Sequence, residues 1–230
     1  MTDNSSHENQ IEEIDYRIPS FLEPSLHETA VLSWLFYWWL SDLKKMIIKE
    51  EELFNKLLDK PELLSVKPYL FSTQEHRIEI VKNFLPRYLS YTFVTALWAN
   101  MESAIKRTAD YLKKKKEVEV KFNQIQGTVL EKAKIYYGYI LHFSLYSDED
   151  YYGEVFDKFY KVRNAIAHGN GLIENLRDSG TEKDIKEIEG IEIQDGRINL
   201  TIPYLNQIFN YTNLFLQDLR RRLLKEYPEE

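Results

Sequence analysis

Apolar residues recur at helical spacing through most of this chain. Leu32, Phe36, Trp39, Leu43, Ile47, Phe54 and Leu58 form one stripe, and Leu89, Phe93, Leu97, Met101, Ile105 and Leu112 form a second. A third runs through Val155, Phe159, Val162 and Ile166, and a fourth through Leu205, Ile208, Phe209, Leu214, Phe215 and Leu219. Residues three and four apart share a helix face, so each stripe predicts an amphipathic helix. Start signals frame them. Ser25–Glu28, Ser72–Glu75 and Thr128–Glu131 each place a hydroxyl three residues before a glutamate, the spacing of a capping box. Pro86 and Pro203 suit a first helical turn, where no N–H is needed. The pattern predicts helices from about Ser25 to Asp59, Pro86 to Lys115, Thr128 to Phe143, Tyr151 to His168 and Thr201 onward, with a short one ending near Phe84. Ile188, Ile191 and Ile193 precede Asp195-Gly196, and Ile198 and Leu200 follow it. An Asp-Gly pair between β-branched residues predicts a hairpin. The expected fold is an all-α bundle of about five or six helices with one small β-hairpin before the C-terminal helix. Residues 1–24 read as a polar, acidic arm and 25–230 as a single domain.

From Val31 to Leu40 the first helix is apolar nearly all round. Trp34, Tyr37 and Trp38 do not fit on one core-facing side. Either this helix is deeply buried, or part of its surface meets a second subunit.

Composition narrows the chemistry. The net charge of −7 argues against a broad nucleic-acid-coating surface, while leaving room for a narrow basic cleft. The absence of cysteine excludes disulfides, thiolate nucleophiles and cysteine-based metal sites. None of the eight glycines lies in a phosphate-binding loop. No two of the five histidines stand at a metal-ligand spacing beside a carboxylate, so neither metal nor cofactor is expected. The longest apolar run, Ala30 to Leu40, falls short of the roughly 20 residues a membrane span requires. The first residues lack the basic and apolar parts of a signal peptide. The expectation is a cytoplasmic protein.

What chemistry remains is concentrated between Tyr160 and Gly171. At about 100° per residue, Val155, Phe159, Val162 and Ile166 fall within about 60° of one another and define a core stripe. Arg163 lies on its shoulder, and Asn164 and His168 point roughly away from it. A histidine at a helix C-terminus has its charged form favoured by the dipole and suits acid–base work. An arginine one turn back suits a phosphate and the charge that grows on it. Asn164 can orient either the imidazole or the phosphate. Gly169 and Gly171 allow close approach. The same residues also fit an exposed histidine that only decorates a helix end. The set has no protein nucleophile, and RNA supplies its own in the 2′-hydroxyl. One histidine does not readily serve both sides of an in-line reaction, whereas a two-fold dimer would supply two.

Arg163-Asn164, three residues and then His168, at the end of a late helix in an all-α chain, resembles the HEPN superfamily. That family's signature is an arginine, four to six residues, then a histidine, often with a polar residue after the arginine. Ala167-His168-Gly169, the Gly127 segment through Tyr136, and the Asp195-Gly196 hairpin with its terminal helix resemble stand-alone prokaryotic members. The resemblance implies a dimeric, metal-independent endoribonuclease acting as a toxin or anti-phage defence effector, with an antitoxin or defence-system partner. It implies Arg163 and His168 as the catalytic pair and Asn164 as the third polar residue. Products would carry a 2′,3′-cyclic phosphate and a 5′-hydroxyl. Many members also have an acidic residue on an earlier helix. Glu102 is the candidate here, with an i,i+4 pair to Lys106 as its alternative role. Members silenced by nucleotidylation carry a tyrosine just after the histidine, where this chain has Gly169 and Asn170. Two other readings stand beside the enzyme: a non-catalytic HEPN-like module that dimerises and binds a nucleotide or protein, and a helical adaptor whose motif is coincidental.

Overall fold

The computed structural model describes residues 22–58, 76, 79–146, 149–175 and 179–228. Most of the 1–24 arm, the 60–72 connection and the Ser72–Glu75 capping box lie outside the described residues. Among the described residues, six α-helices and one two-stranded antiparallel hairpin form the all-α fold that the pattern predicts.

Helix α1 spans Glu23–Leu58. It begins two residues before the expected cap, because Pro24 is tolerated in a first turn. Ser25 is therefore a buried helical residue whose carbonyl accepts from Thr29 Oγ1 at 2.8 Å. Phe36 and Leu43 are buried, but Trp39 is exposed, as are Trp34, Tyr37 and Trp38. The deeply buried reading of this helix fails, since one whole face carries aromatic rings into solvent. Trp34 and Trp38 stack in parallel there, with ring centroids 6.1 Å apart.

Helix α2, Leu85–Lys115, continues out of a π-turn over Ile80–Phe84. Pro86 sits at the joint, where its missing N–H marks the change of hydrogen-bond pattern. Helix α3, Val129–Ile135, starts at the predicted capping box. The Thr128 N–H donates to Glu131 at 2.7 Å and the Glu131 N–H to Thr128 Oγ1 at 3.3 Å. It is shorter than expected, passing into a π-turn over Tyr136–Ile140. That turn buries both Tyr136 and Tyr137, whose hydroxyls reach the carbonyls of Val120 at 2.6 Å and Ile105 at 2.5 Å.

Helix α4, Glu149–Gly169, carries the Arg-Asn-His segment. Helix α5, Ser179–Lys186, is an element the pattern did not predict. Strands β1, Ile191–Gln194, and β2, Arg197–Leu200, pair with Ile193 opposite Ile198. Asp195 and Gly196 turn the hairpin with φ of 52° and 70°, the left-handed values such a turn needs. Helix α6, Ile202–Glu226, starts at Thr201, with Pro203 in its first turn. Leu214, expected in the core, is exposed.

Helix α2 is the axis of the bundle. Helix α1 runs antiparallel to it, as the ring pair Phe36–Phe93 (4.5 Å) and the bond from Asn100 Nδ2 to the Ser25 carbonyl (2.7 Å) show. Helix α4 is also antiparallel to α2. Trp98 packs on Phe159 and Tyr160 with centroids 5.1 and 5.2 Å apart, and Tyr91 lies against Gly171. Helix α6 fills the remaining side through Phe215, 5.2 Å from Phe156. Helices α1 and α4 both pack on α2 and α6 and hardly touch each other. The exposed aromatic face of α1 and the Arg-Asn-His segment are thus carried by helices at opposite corners.

Candidate functional site

The amphipathic pattern of α4 decides where its polar residues go. Phe159, Val162, Ala165 and Ile166 are buried against α2. Arg163 and Asn164 are left half-buried on the shoulder, and Ala167 and His168 are exposed. Asn164, expected to point away from the core with His168, is half-buried beside Arg163, and Arg163 and His168 stand about 140° apart around the helix. Arg163 Nη1 donates to Asn164 Oδ1 at 2.8 Å. Arg163 Nε is buried without a partner. Asn164 thus orients the arginine and not the imidazole. It holds the Nη1 end of the guanidinium.

The chain leaves α4 through two residues with left-handed backbone, Asn170 (φ 50°) and Gly171 (φ 71°). Asparagine tolerates this conformation, and glycine has no Cβ to oppose it. Space also dictates the glycine, because a Cβ at 171 would overlap the phenol of Tyr91. The Gly171 N–H donates back to the Ala165 carbonyl at 3.1 Å, and the Leu172 N–H to that of Gly169 at 2.9 Å. The hairpin then fastens this turn. The Ile198 N–H donates to the Gly171 carbonyl at 2.8 Å, Arg197 Nη1 to the Asn170 carbonyl at 3.0 Å, and the Ile173 N–H to the Gly196 carbonyl at 2.9 Å. Tyr91 closes the circuit by donating from its hydroxyl to the Ile198 carbonyl at 2.5 Å. The turn after His168 is held from α2 and from β2.

Three residues join the site that sequence reasoning missed: Arg87, Tyr91 and Arg197. Arg87 lies one turn before Tyr91 on the same face of α2, and Arg197 precedes Ile198 in β2. Burial pushes the pKa of the Tyr91 phenol up, and the charges of Arg87 and Arg197 offset part of that rise. Among the described residues, no carboxylate pairs with Arg87, Arg163 or Arg197. In a chain of net charge −7, Arg87 and Arg197 bring positive charge to the Tyr91 phenol that lies against the turn after His168. One signal in the sequence pointed to Arg197: it is the only basic residue between Ile188 and Leu200, a stretch that holds Glu189, Glu192 and Asp195. Nothing local pointed to Arg87 and Tyr91, because their link to Gly171 is tertiary.

Glu102 does not join. Its carboxylate accepts from Lys106 Nζ at 2.8 Å. It lies one turn beyond Trp98, and α4 runs antiparallel, so Glu102 stands beside turns of α4 that precede Tyr160. Trp98 separates it from Arg163. Among the described residues no cluster of histidine and carboxylate side chains is arranged to hold a metal ion, and no helix is long and apolar enough to cross a membrane.

Comparison with known protein families, curated proteins and solved structures yields no match.

Proposed function

We propose that this chain is a metal-independent endoribonuclease of the HEPN type, acting as a toxin or defence effector, with Arg163, Asn164 and His168 at its centre. The observation that supports this best is the exposed histidine at the end of α4, five residues after an arginine that, among the described residues, no carboxylate pairs. Such a place favours a phosphodiester. The 2′-hydroxyl of the RNA attacks the adjacent phosphorus and passes its proton to an imidazole. Negative charge grows on the non-bridging oxygens, where Arg163, steadied by Asn164, stabilises it. The bond to the 5′-oxygen breaks, and that oxygen takes a proton from a second imidazole. The products are a 2′,3′-cyclic phosphate and a 5′-hydroxyl. His168 of a second copy, brought up across a two-fold axis, supplies the second imidazole. The axis runs by the exposed side of α4, so the aromatic face of α1, at the opposite corner, is not the surface that pairs the two sites.

Purified protein incubated with RNA in excess EDTA tests this reading. Cleavage with cyclic-phosphate ends, lost in both Arg163→Ala and His168→Ala, is the expected result. Intact RNA, or cleavage unchanged in both variants, excludes it. In that event two readings remain: a non-catalytic, dimerising module whose arginines serve binding alone, and a helical adaptor whose motif is coincidental.

A further inference from the structure

The outer face of α1 carries apolar side chains that no other described element covers. Trp34 is 65 % exposed, Trp38 49 % and Ile48 57 %. With Val31 and Tyr37 they leave about 550 Å² of apolar surface per chain in water, at the upper end of what a lone protein shows.

The spacing on this face is more informative than its size. Positions 31, 34, 38, 41, 45, 48 and 52 are all exposed and follow one another at alternating steps of three and four. At about 100° per residue they centre roughly opposite the buried Phe36 and Leu43. This is a heptad seam, the pattern by which one helix packs along another. Among the described residues α1 packs on α2, α6 and the π-turn before α2, and its seam stays open.

The order of side chains along the seam fits a second copy of itself. An antiparallel copy keeps its steps in phase when the two-fold axis passes between Trp39 and Leu40. Val31 then meets Ile48 of the second copy, apolar on apolar. Trp38 meets Ser41, whose small side chain leaves room for the ring. Trp34 meets Lys45, a cation set over an aromatic face. One face of Trp34 stacks on Trp38 at 6.1 Å and the other is open, while Lys45 is tied only to Asp42 of its own helix, at 3.0 Å, and stays 74 % exposed. At the ends His27 meets Glu52, an N–H donor against a carboxylate. Each layer occurs twice. A shift of one heptad in one direction sets Trp34 against Glu52, and in the other sets His27 against Lys45, so the sequence favours this register. Two copies cover about 1,100 Å² of apolar surface before a polar rim is counted, close to the roughly 1,200 Å² at which stable interfaces begin. A lipid surface does not fit, because Ser41, Lys45 and Glu52 interrupt the seam.

We infer that α1 pairs with α1 of a second copy of this chain, antiparallel, about a two-fold axis between Trp39 and Leu40. The end of α4 lies at the opposite corner. The inference therefore does not depend on the ribonuclease reading, and where both surfaces pair, the assembly is larger than a dimer.

Sedimentation velocity of the full chain at micromolar concentration reads the mass. Trp38→Glu is expected to lower it by half or more while leaving the circular dichroism and melting temperature close to wild type, since the ring is half exposed. Lys45→Glu should weaken association by about threefold to tenfold. The chain has no cysteine, so a single introduced thiol reports proximity without background. Ser41→Cys sets two thiols beside the axis, and a short bismaleimide should join them. Asn55→Cys, farther along the same seam, stands about 45 Å from its mate and should stay unlinked. Equal mass for wild type and Trp38→Glu overturns the inference. So does association unchanged by Lys45→Glu, and so does cross-linking at 55 as efficient as at 41, which would mark a parallel pair. Binding of wild type but not Trp38→Glu to vesicles of phosphatidylcholine and phosphatidylglycerol, with no difference in mass, overturns it in favour of lipid.

Discussion

Gly171→Ala probes how the fold holds the candidate site, without touching a candidate catalytic residue. Position 171 has φ of 71°, a left-handed value that costs a residue with a Cβ about 1–2 kcal/mol. The added methyl would also overlap the Tyr91 phenol. If the ring retreats, its hydrogen bond to the Ile198 carbonyl is lost, at about 1 kcal/mol. Together these amount to about 2–3 kcal/mol, or a fall in melting temperature of about 5–10 °C for a domain of this size. Urea unfolding followed by circular dichroism measures it. Gly153→Ala is the matched control, because a Cβ there meets nothing within 4 Å and the position lies inside α4. It should stabilise by about 0.5–1 kcal/mol. Tyr91→Phe removes the overlapping oxygen, so the double variant should lose less than the sum of the two single ones. Ribonuclease activity of Gly171→Ala should fall even at temperatures where the protein stays folded, since the turn after His168 is displaced. A loss below about 0.5 kcal/mol, or strict additivity with Tyr91→Phe, would refute the view that Tyr91 and the hairpin set this turn.

Other expectations follow from the same contacts. Arg197→Gln should weaken RNA binding across sequences and lower the salt slope by about one unit, as fluorescence anisotropy in EDTA would show. Glu102→Gln should leave cleavage within about twofold of wild type, because its carboxylate is engaged with Lys106 on the far side of Trp98. The link between α4 and α5 should weaken in acid. Hydrogen bonding to Lys161 holds the Asp184 carboxyl below its ordinary value of 3.8, so its contribution is complete above that pH and is lost as pH falls through the lower folded value. Asp184→Asn should flatten the acid limb of a plot of melting temperature against pH, and an unchanged limb would show that the pair adds nothing.

The elements that were legible in the sequence are those fixed by local chemistry. Thr128 with Glu131, Asp195-Gly196, and Thr201 with Pro203 each satisfy or release backbone groups within a few residues, and each stands where the pattern put it. The core stripe of α4 placed Arg163 on its shoulder and turned His168 outward, as the structure has them. Helix α5 was not legible, because Ile185 is the only apolar side chain among its eight residues. Trp39 and Leu214 were misplaced for a different reason. Periodicity names a face, and only the packing of α1 and α6 on α2 decides how wide that face is. The gathering of Arg87 and Arg197 around the end of α4 depends on contacts between residues about 80 to 110 positions apart, which no local pattern carries.

Subunit mixing tests the composite site most directly. The His168→Ala protein is expected to be inactive on RNA in EDTA. When it is mixed in excess with wild type under conditions where differently tagged subunits copurify, most wild-type chains sit in mixed pairs that hold one imidazole in place of two. Cleavage per wild-type chain should then fall with the fraction of wild-type chains still paired with each other. Cleavage per wild-type chain that stays unchanged although subunits exchange would contradict a site completed across a two-fold axis.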